Sequence, residues 1–204
     1  MRKPNIQKST KPRNTLRIIG GQWRGRKFAI ANVDGLRPTG DRIRETLFNW
    51  LAPYVQDANC LDCFAGSGAL GLECLSRGAQ AAWLVENNSI ASTTLARHLQ
   101  QLNSLNGHLV KANCLEWLAQ KPLTQHSINM AFIDPPFAEN LWEKTILQLE
   151  DSDVLASDAM IYIETPSHIF VDVPSHWHPH RSKQSGQVNY QLFLRSATAS
   201  TPTH

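Results

Sequence analysis

From about residue 59 onward, short apolar runs alternate with longer segments of helical periodicity. The apolar runs predict strands at residues 60–64, 81–86, 107–111, 129–133 and 159–164. The segments between them predict helices at residues 69–77, 88–105, 114–119 and 140–149. Several of the runs are apolar throughout, as strands are when helices cover both faces of their sheet. The pattern therefore predicts an α/β fold with a doubly wound parallel sheet.

Two further hairpins are expected on either side of this alternating region. Apolar runs at residues 16–19 and 28–30 flank a turn rich in glycine and arginine, which predicts a small N-terminal β-hairpin. Residues 176–182 and 187–195 flank Gly186 and show some alternation of apolar and polar positions. They predict an antiparallel hairpin at the C-terminal end of the sheet.

A helix is expected directly after the N-terminal hairpin. Its apolar stripe ends before Pro53 and consists of Ile43, Leu47, Phe48, Trp50 and Leu51. Thr39 or Asp41 is the expected N-cap, because short polar side chains accept hydrogen bonds from the first free N–H groups of a helix. Arg42, Arg44 and Glu45 form either a solvated helix face with local ion pairs or part of a functional site.

Basic side chains are concentrated near the N-terminus. Residues 1–27 contain nine Lys or Arg side chains and no Asp or Glu, whereas the rest of the chain carries more acidic than basic residues. A basic segment on a mildly acidic body favours a polyanionic partner, because each phosphate contact releases condensed counterions. A solvated tail that only aids solubility is the alternative.

The composition indicates one globular domain with a short appendage, since 42% of the 204 residues are hydrophobic. No apolar run reaches the roughly 18 residues that cross a bilayer. The basic N-terminal segment also lacks the apolar stretch of a secretory signal. We therefore expect a cytoplasmic protein without a membrane partner, in which the four cysteines are free thiols.

Two groups of side chains imitate metal or redox motifs. Cys60 and Cys63 form a C-x-x-C, but they straddle a predicted strand, which favours core packing over a redox or metal site. His176, His178 and His180 alternate along one predicted strand. Metal sites usually take a further ligand from elsewhere in the chain, so no metal site is expected here.

A glycine-rich turn follows the first strand of the alternating region, in the sequence LDCFAGSGALG. Its Gly66, Gly68 and Gly71 match the pattern G-x-G-x-x-G. Glycines let the backbone pass close to a ligand, and the following helix N-terminus offers unpaired N–H groups. The pattern leaves two enzyme classes open, a nicotinamide or flavin enzyme and a methyltransferase that binds S-adenosylmethionine. A tight turn without a ligand is the third interpretation.

Two carboxylates and a downstream motif favour the methyl donor. Asp62 precedes the glycines and can pair with the cationic amino-acid end of S-adenosylmethionine. Glu86 ends the next predicted strand, where it can accept both ribose hydroxyls, although an acid at this position would also suit NAD. A set of redox residues is hard to find in the sequence, whereas a motif for the chemistry of base amines lies downstream.

That motif is FIDPPF, at the carboxyl end of the fourth predicted strand, the edge where open α/β sheets bind ligands. An aromatic amine is a poor nucleophile because its lone pair is delocalised. The Asp134 carboxylate and the Pro135 carbonyl can accept its two N–H bonds and stabilise the positive charge that develops on nitrogen. The prolines, including Pro136, stiffen the turn, and Phe137 can stack on a base that has left its own stack. A strand-ending turn with a buried Phe is the alternative.

With these motifs in order, the chain resembles the bacterial 16S rRNA (guanine(966)-N2)-methyltransferases from about Arg17 to Arg195. RIIGGQWRGRKF resembles that family's N-terminal signature, RPTGDRIRETLFNWL its cofactor-side helix and LDCFAGSGALGLECLSRGA its donor loop. FIDPPF resembles its catalytic loop and GQVNYQLF its last strand. The resemblance implies a seven-stranded class I methyltransferase sheet, Rossmann-like, with an antiparallel C-terminal strand and a small N-terminal β-hairpin extension.

The resemblance also implies a set of site residues. The expected catalytic residues are Asp134, Pro135, Pro136 and Phe137. The expected donor-binding residues are Arg37, Thr39, Asp62, Phe64, Gly66, Ser67, Gly68, Glu86, Asn87, Asn113 and Cys114. The expected nucleic-acid contacts are Arg24, Arg26, Lys27 and Arg42. Asn113 and Cys114 depart from the family, which usually has an acidic residue near the adenine.

Taken together, the composition, the apolar pattern and the resemblance predict four segments. They are a basic disordered tail at residues 1–15, the hairpin extension at 16–36, the methyltransferase domain at 37–196 and a flexible tail at 197–204. The expected partner is 16S rRNA in the assembled small ribosomal subunit, bound by a monomer. A DNA adenine-N6 methyltransferase, a protein glutamine methyltransferase and a non-catalytic RNA-binding assembly factor are the alternatives.

Overall fold

The structure is a computed structural model, and it describes residues 15–31, 33 and 40–196 of the chain. Its strands are β1 (Thr15–Arg17), β2 (Lys27–Ala29), β3 (Asn59–Asp62), β4 (Ala81–Val85), β5 (Gly107–Val110), β6 (Ile128–Ile133), β7 (Leu155–Pro166), β8 (Trp177–Ser185) and β9 (Val188–Arg195). Its α-helices are α1 (Asp41–Trp50), α2 (Ala69–Ser76), α3 (Ser89–Gln101), α4 (Cys114–Ala119) and α5 (Trp142–Asp151). This order confirms the predicted alternation of strands and helices.

Seven strands form one sheet in the described part of the chain, in the order β5-β4-β3-β6-β7-β9-β8. The first five of these strands are parallel to one another, and β9 pairs antiparallel with both β7 and β8. The chain runs outward from β3 to β5 and then returns to β6 beside β3. This reversal between β3 and β6 is the switch point at which a doubly wound sheet opens a crevice.

The sheet separates two hydrophobic cores. One core packs α1, α2 and α3 against one face and includes Phe48, Phe132 and Tyr162. The other packs α4 and α5 against the opposite face and includes Trp142 and Trp177. Burial of strand residues on both faces explains why the strand segments are nearly continuous apolar runs in the sequence.

The N-terminal hairpin pairs β1 with β2 and buries Leu16 and Phe28 between these strands and the domain. The Glu73 carboxylate of α2 holds the turn, because it accepts hydrogen bonds from the backbone N–H groups of Ile19 at 2.8 Å and Gly20 at 2.7 Å. The predicted hairpin is therefore confirmed, and a buried carboxylate attaches it to the domain. Charge-assisted bonds of this kind are stronger than neutral ones.

The start of α1 differs from the prediction. The N-cap is Gly40, which provides no side-chain cap, so Asp41, one of the two predicted N-caps, is not the cap. Asp41 lies in the first turn and binds Arg44 instead, at 2.6 Å. Arg44 is only 1% exposed and also faces Glu73 at 3.6 Å, so it belongs to a buried ion network and not to a solvated helix face. Thr39 lies outside the described residues.

Three other elements have shifted boundaries. Helix α3 ends at Gln101, four residues before its predicted end at residue 105, and Asn103 then adopts a left-handed conformation with φ +50°. Helix α5 begins at Trp142 instead of residue 140, because Asn140 adopts a left-handed conformation with φ +48° after a short 3₁₀ turn. Strand β7 begins at Leu155, four residues earlier than predicted. An irregularity in its pairing with β6 leaves Ser157 and Asp158 exposed there. Those polar residues interrupt the apolar run on which the sequence prediction depended.

The four cysteines are buried, and two of the three alternating histidines contact polar side chains. All four cysteines are unpaired and buried, which confirms the prediction of free thiols and the core-packing interpretation of Cys60 and Cys63. His176 contacts the Glu150 carboxylate, whereas His178 contacts Ser196.

None of the helices in the described ranges has the length and apolar character needed to span a bilayer.

Candidate active site

A cleft of about 1600 Å³ opens at the carboxyl ends of β3, β4, β6 and β7. It lies over the switch point of the sheet, where open α/β folds bind their ligands. Two loops from the sequence analysis meet in it: the glycine loop after β3 and the 134–137 loop after β6. We call Asp62, residues 64–68 and Glu86 the glycine-loop side, and residues 134–137 with Glu164 the 134–137 side.

The glycine loop turns sharply because Gly66 and Gly68 adopt left-handed conformations, with φ +53° and +81°. Phe64, Gly66 and Ser67 line the cleft. Gly68 instead precedes α2 and faces the core, since a Cβ added there would lie 2.5 Å from a Leu95 methyl group. A side chain at Gly68 would therefore disturb both the backbone and the packing of α3.

Asp62 ends β3 and lies on the floor of the cleft, only 2% exposed. One of its oxygens accepts a hydrogen bond from the Gly71 backbone N–H at 3.1 Å, which ties the start of α2 to the strand. Burial raises the pKa of Asp62 to about 7, the Glu86 charge adds to this, and the backbone bonds from Gly71 and Phe64 oppose it. A buried carboxylate of this kind is stabilised in its ionised form by a cationic ligand.

Glu86 follows β4 and fastens two loops. Its oxygens accept hydrogen bonds from the backbone N–H groups of Gly66 at 2.8 Å and Asn88 at 2.6 Å. Burial raises the pKa of Glu86, and these two bonds oppose the shift. Each carboxylate oxygen has more than one acceptor position, so Glu86 can still bind hydroxyl groups from the cleft. The exposed Asn87 also lines the cleft at this point.

The loop after β5 brings Asn113 and Cys114 to the cleft wall. The Asn113 side-chain oxygen caps α4, accepting hydrogen bonds from Leu115 at 3.0 Å and Glu116 at 3.4 Å. Capping uses the amide oxygen, so the NH₂ group is the part of Asn113 that can donate to a ligand. The Cys114 thiol is buried and raises the pKa of the Cys63 thiol by hydrogen bonding, with burial adding to the effect.

The 134–137 loop follows β6 directly. Asp134 is half-buried and Pro135 is buried, whereas Pro136 is exposed and begins a short 3₁₀ turn. Phe137 is 42% exposed and lies beside Trp142, with 5.9 Å between ring centroids. Trp142 is fixed in turn, because its ring N–H donates to the Glu164 carbonyl at 2.7 Å. The loop therefore brings a carboxylate, two prolines and an accessible aromatic ring to one cleft.

Glu164 is a cleft residue that the sequence analysis placed only at the end of a strand. It is 5% exposed, and its Oε2 accepts the Tyr162 hydroxyl at 2.7 Å. Burial raises the pKa of Glu164 against the effect of that bond. Burial, followed by the charges of Glu164 and Asp134, raises the pKa of Tyr162 well above its usual range. No local motif marks Glu164, because its position depends on the pairing of β6 with β7.

The expected nucleic-acid residues are exposed but do not lie together. Arg42, in the first turn of α1, is next to Gly40 and Ile43, which line the cleft. Arg24, Arg26 and Lys27 lie on the hairpin, whose turn packs on the last turn of α2 at the end of the sheet away from the cleft. Arg26 donates to the Gln101 carbonyl at 2.8 Å, at the last residue of α3. Arg37 lies outside the described residues, as does Thr39.

The arrangement suits the donor expected from the sequence. A buried carboxylate with a raised pKa lies on the floor of the cleft, a carboxylate follows β4, and a glycine turn leaves backbone close to the open space. These groups match a ligand with a cationic amino-acid end and a ribose diol. No described residue on this side contributes a cation for the 2′-phosphate of NADP.

Comparisons with known proteins identify the family. The family model described as "Conserved hypothetical protein 95" matches residues 16–194. The chain is 51% identical to ribosomal RNA small subunit methyltransferase D of Escherichia coli strain K12, covering 97% of this chain and 96% of that protein. It is 42% identical to the protein of the same name from Haemophilus influenzae, covering 87% and 93%.

A solved structure agrees with the sequence matches. The Escherichia coli protein yhhF superposes with a TM-score of 0.82 and 51% sequence identity, covering 91% of this chain and all of that chain. The agreement includes the seven-stranded sheet and its methyltransferase architecture. The chain therefore belongs to the conserved hypothetical protein 95 family, together with the ribosomal RNA small subunit methyltransferase D proteins.

Proposed function

We propose that this protein methylates the exocyclic N2 amine of a guanine in 16S rRNA, within the small ribosomal subunit. Its relatives place it among the S-adenosylmethionine-dependent rRNA methyltransferases. The choice of guanine N2 is supported by the resemblance of the FIDPPF segment, and the position by the family's guanine 966. The observation that carries the proposal is that one cleft holds both the glycine loop and the 134–137 loop.

The glycine-loop side holds the methyl donor in this proposal. Asp62 pairs with the cationic amino-acid end, and Glu86 accepts the ribose hydroxyls. Phe64, Gly66, Ser67 and Asn87 surround the donor, while Asn113 donates to the adenine edge beside Cys114. S-adenosylmethionine supplies an activated methyl group on a sulfonium, so these residues need only bind and orient it.

The 134–137 side holds the base. Asp134 and the Pro135 carbonyl accept the two N–H bonds of the amine, which directs the nitrogen lone pair toward the methyl group. Phe137 is accessible enough to stack on a base that has left its stack, and Trp142 supports the ring from behind. Pro136 restricts the backbone so that the carbonyl keeps its direction.

Transfer is a single displacement without a covalent enzyme intermediate. The nitrogen–carbon bond forms as the sulfur–carbon bond breaks, and the amine then loses a proton to Asp134 or water. The Asp134 carboxylate stabilises the positive charge that develops on nitrogen, the kind of electrostatic effect that contributes most in a cleft shielded from water.

The basic residues bind the phosphate backbone in this proposal. Arg42 lies beside the cleft mouth, whereas Arg24, Arg26 and Lys27 extend the basic surface along the hairpin. A bulky ribonucleoprotein substrate suits a monomer that approaches it in the cytoplasm. Phosphate contacts position the enzyme and leave base recognition to the cleft.

The experiment uses labelled S-adenosylmethionine and small ribosomal subunits from cells that lack the modification, followed by mass spectrometry of the nucleosides. We expect N2-methylguanosine at a single position, and none with the Asp134→Ala variant. Naked 16S rRNA and duplex DNA are assayed in parallel. N6-methyladenine in DNA would identify the adenine-methylating alternative, and donor binding without transfer to any acceptor would support a non-catalytic assembly factor.

A further inference from the structure

Glu164 lies in β7 at the level where the neighbouring strand β6 ends and Asp134 follows it. Strands β6 and β7 are parallel neighbours, and the last pair in their register is Ile133 with Ile163. Asp134 and Glu164 are the next residue after this last pair, so the two carboxylates occupy equivalent positions along β6 and β7, although β7 continues to Pro166. Both line the cleft.

The Glu164 carboxylate is held in a fixed orientation. The Tyr162 hydroxyl donates to Oε2 at 2.7 Å, and both side chains are buried. The backbone carbonyl of Glu164 is anchored separately by the Trp142 ring N–H at 2.7 Å. The residue is thus fixed at its backbone and at one carboxylate oxygen, as a group that recognises a ligand by hydrogen bonds should be.

The second carboxylate oxygen has unused acceptor capacity. Among the described residues, none donates a hydrogen bond to Oε1 of Glu164. Oε1 is not among the buried side-chain atoms without a partner, so this oxygen is accessible from the cleft that Glu164 lines, where a ligand can donate to it. Burial also raises the pKa of Glu164, because it destabilises the ionised carboxylate. A hydrogen-bond donor that reaches Oε1 from the cleft would stabilise that ionised form.

The edge of guanine offers the matching donor. Guanine carries a ring N1–H directly beside its N2 amine, whereas adenine carries a bare N1 acceptor beside its N6 amine. If the 134–137 loop holds the exocyclic amine, the ring nitrogen lies beside the Glu164 carboxylate on the adjacent strand β7. A carboxylate there attracts guanine and opposes the N1 lone pair of adenine.

We propose that Glu164 selects guanine by accepting its N1–H through Oε1 while the 134–137 loop holds the N2 amine. The proposal rests on the proposed function and adds to it a specificity-determining residue. Sites that hydrogen-bond a substrate group discriminate strongly against analogues without it, because the partner in the site is then left unpaired. Glu164 would thereby exclude adenine, which the amine-holding loop alone would accept.

The test compares guanine with 2-aminopurine at the methylated position of reconstituted small subunits. 2-Aminopurine keeps the exocyclic amine but has an N1 acceptor without hydrogen. The wild-type enzyme is expected to prefer guanine by roughly 100-fold in kcat/KM. 7-Deazaguanine, altered on the opposite edge, is the matched control and should be methylated about as well as guanine. Equal wild-type rates on guanine and 2-aminopurine would overturn the proposal.

The variant Glu164→Gln should reverse part of this preference. Its amide oxygen keeps the Tyr162 hydrogen bond, so its NH₂ group faces the base and can donate to N1 of 2-aminopurine. We expect kcat/KM to fall on guanine and to rise on 2-aminopurine, with donor affinity unchanged by calorimetry. Equal losses on both bases would indicate a purely structural role and contradict the proposal.

The variant Tyr162→Phe separates base recognition by Glu164 from the support that Tyr162 gives to the Glu164 carboxylate. It removes the hydrogen bond to Oε2 but leaves the Glu164 charge in the cleft. We expect a lower rate on guanine with the preference over 2-aminopurine retained. If wild-type enzyme methylates no guanine in any subunit, the proposed function itself has failed. Methylation of guanine with no role for Glu164 in the preference overturns only the present proposal.

Discussion

The two sides of the cleft differ in how far the protein satisfies its own polar groups. On the glycine-loop side, Asp62 accepts a hydrogen bond from a backbone N–H of α2 and Glu86 accepts two from neighbouring loops, at 2.6 to 3.1 Å. On the 134–137 side, Glu164 has an oxygen without a described donor, and Phe137 leaves 42% of its surface exposed. The first side is bonded internally, while the second leaves one Glu164 oxygen and the Phe137 ring accessible.

The difference indicates that the two sides of the cleft have different roles. Carboxylates that fasten their own loops shape the glycine-loop side during folding, so a ligand there finds a preorganised site. In the proposed function, the 134–137 side uses a Glu164 oxygen and an aromatic ring to hold a base that arrives from a large partner. Binding energy from that partner can offset the cost of extruding the base. Substitutions on the two sides should therefore affect different measured quantities.

The largest effect is expected for Asp134→Ala. The substitution removes the carboxylate that orients the amine and stabilises its developing charge, so turnover should fall by roughly 10²–10³-fold. Donor affinity should stay within about twofold, because the donor lies on the other side. Single-turnover methylation and calorimetry measure the two quantities. Asp158→Asn, exposed near the start of β7, is the control, and a parallel loss of donor affinity would contradict the division of roles.

Asp62→Asn should give the opposite result, a loss of donor affinity on the order of 100-fold. The buried carboxylate must be ionised to pair with a cationic group, and its pKa is about 7. Wild-type donor affinity should therefore weaken as the pH falls from 8 to 6, and the Asn variant should lose this dependence. Calorimetry at several pH values measures both. An unchanged pH profile in the variant would show that another group titrates.

The same group should make the donor-free protein less stable at high pH. Burial raises the folded-state pKa of Asp62 from 3.8 to about 7, so the folded state binds this proton more tightly than the unfolded state. The contribution to the free energy of unfolding falls as the pH rises from about 4 through about 7, by roughly 4 kcal/mol at most. At pH 8 the Asn variant should melt at a higher temperature than the wild type, a difference that shrinks at pH 5.

A smaller effect is expected for Phe137→Ala. Stacking of a base on an aromatic side chain contributes about 1–3 kcal/mol, so kcat/KM for subunits should fall by roughly 10-fold or more. Donor affinity should not change, and Phe137→Tyr should keep nearly full activity because it retains the ring. Steady-state rates at limiting subunit concentration measure the effect. If the Tyr and Ala variants were equally impaired, stacking would not be the role of this side chain.

The sequence predicted the parts of this molecule that consecutive residues encode. The alternation of apolar runs was sufficient for the parallel sheet, and the glycine and FIDPPF segments each carry their residues within a few positions. The exact ends of elements were less predictable. Helix α5 begins later than predicted because Asn140 is left-handed. Strand β7 begins earlier than predicted, because its irregular pairing with β6 includes the exposed Asp158.

The features that the sequence did not predict depend on contacts between distant segments. Glu164 becomes a cleft residue because β7 pairs with β6, and nothing near it in the sequence indicates this. In the sequence, Arg44 has the position of a surface residue on an amphipathic helix. In the structure it is buried and pairs with Asp41 and Glu73. The sequence also does not show where the hairpin arginines lie relative to the cleft, because the turn that carries them packs on the C-terminal ends of α2 and α3.

That location leads to the smallest expected effect, for Arg24→Ala. Arg24 is exposed on the hairpin turn, away from the cleft, so its loss should weaken subunit binding only a few-fold and leave kcat at saturation unchanged. Removing one phosphate contact should also reduce the slope of log affinity against log salt by up to about 0.9. Filter binding at several salt concentrations measures this slope. Arg42→Ala, beside the cleft mouth, should have the larger effect on affinity.

Lys121→Ala is the control for charge alone. Lys121 is exposed after α4, on the opposite face of the sheet, where it pairs with Asp153 at 3.5 Å. Its removal should leave the salt slope unchanged if the hairpin face is the one that meets RNA. If Lys121→Ala and Arg24→Ala lowered affinity equally, only the total charge of the protein would matter. A slope that changes with Arg24 but not with Lys121 would instead extend the RNA contact from the cleft mouth along the hairpin.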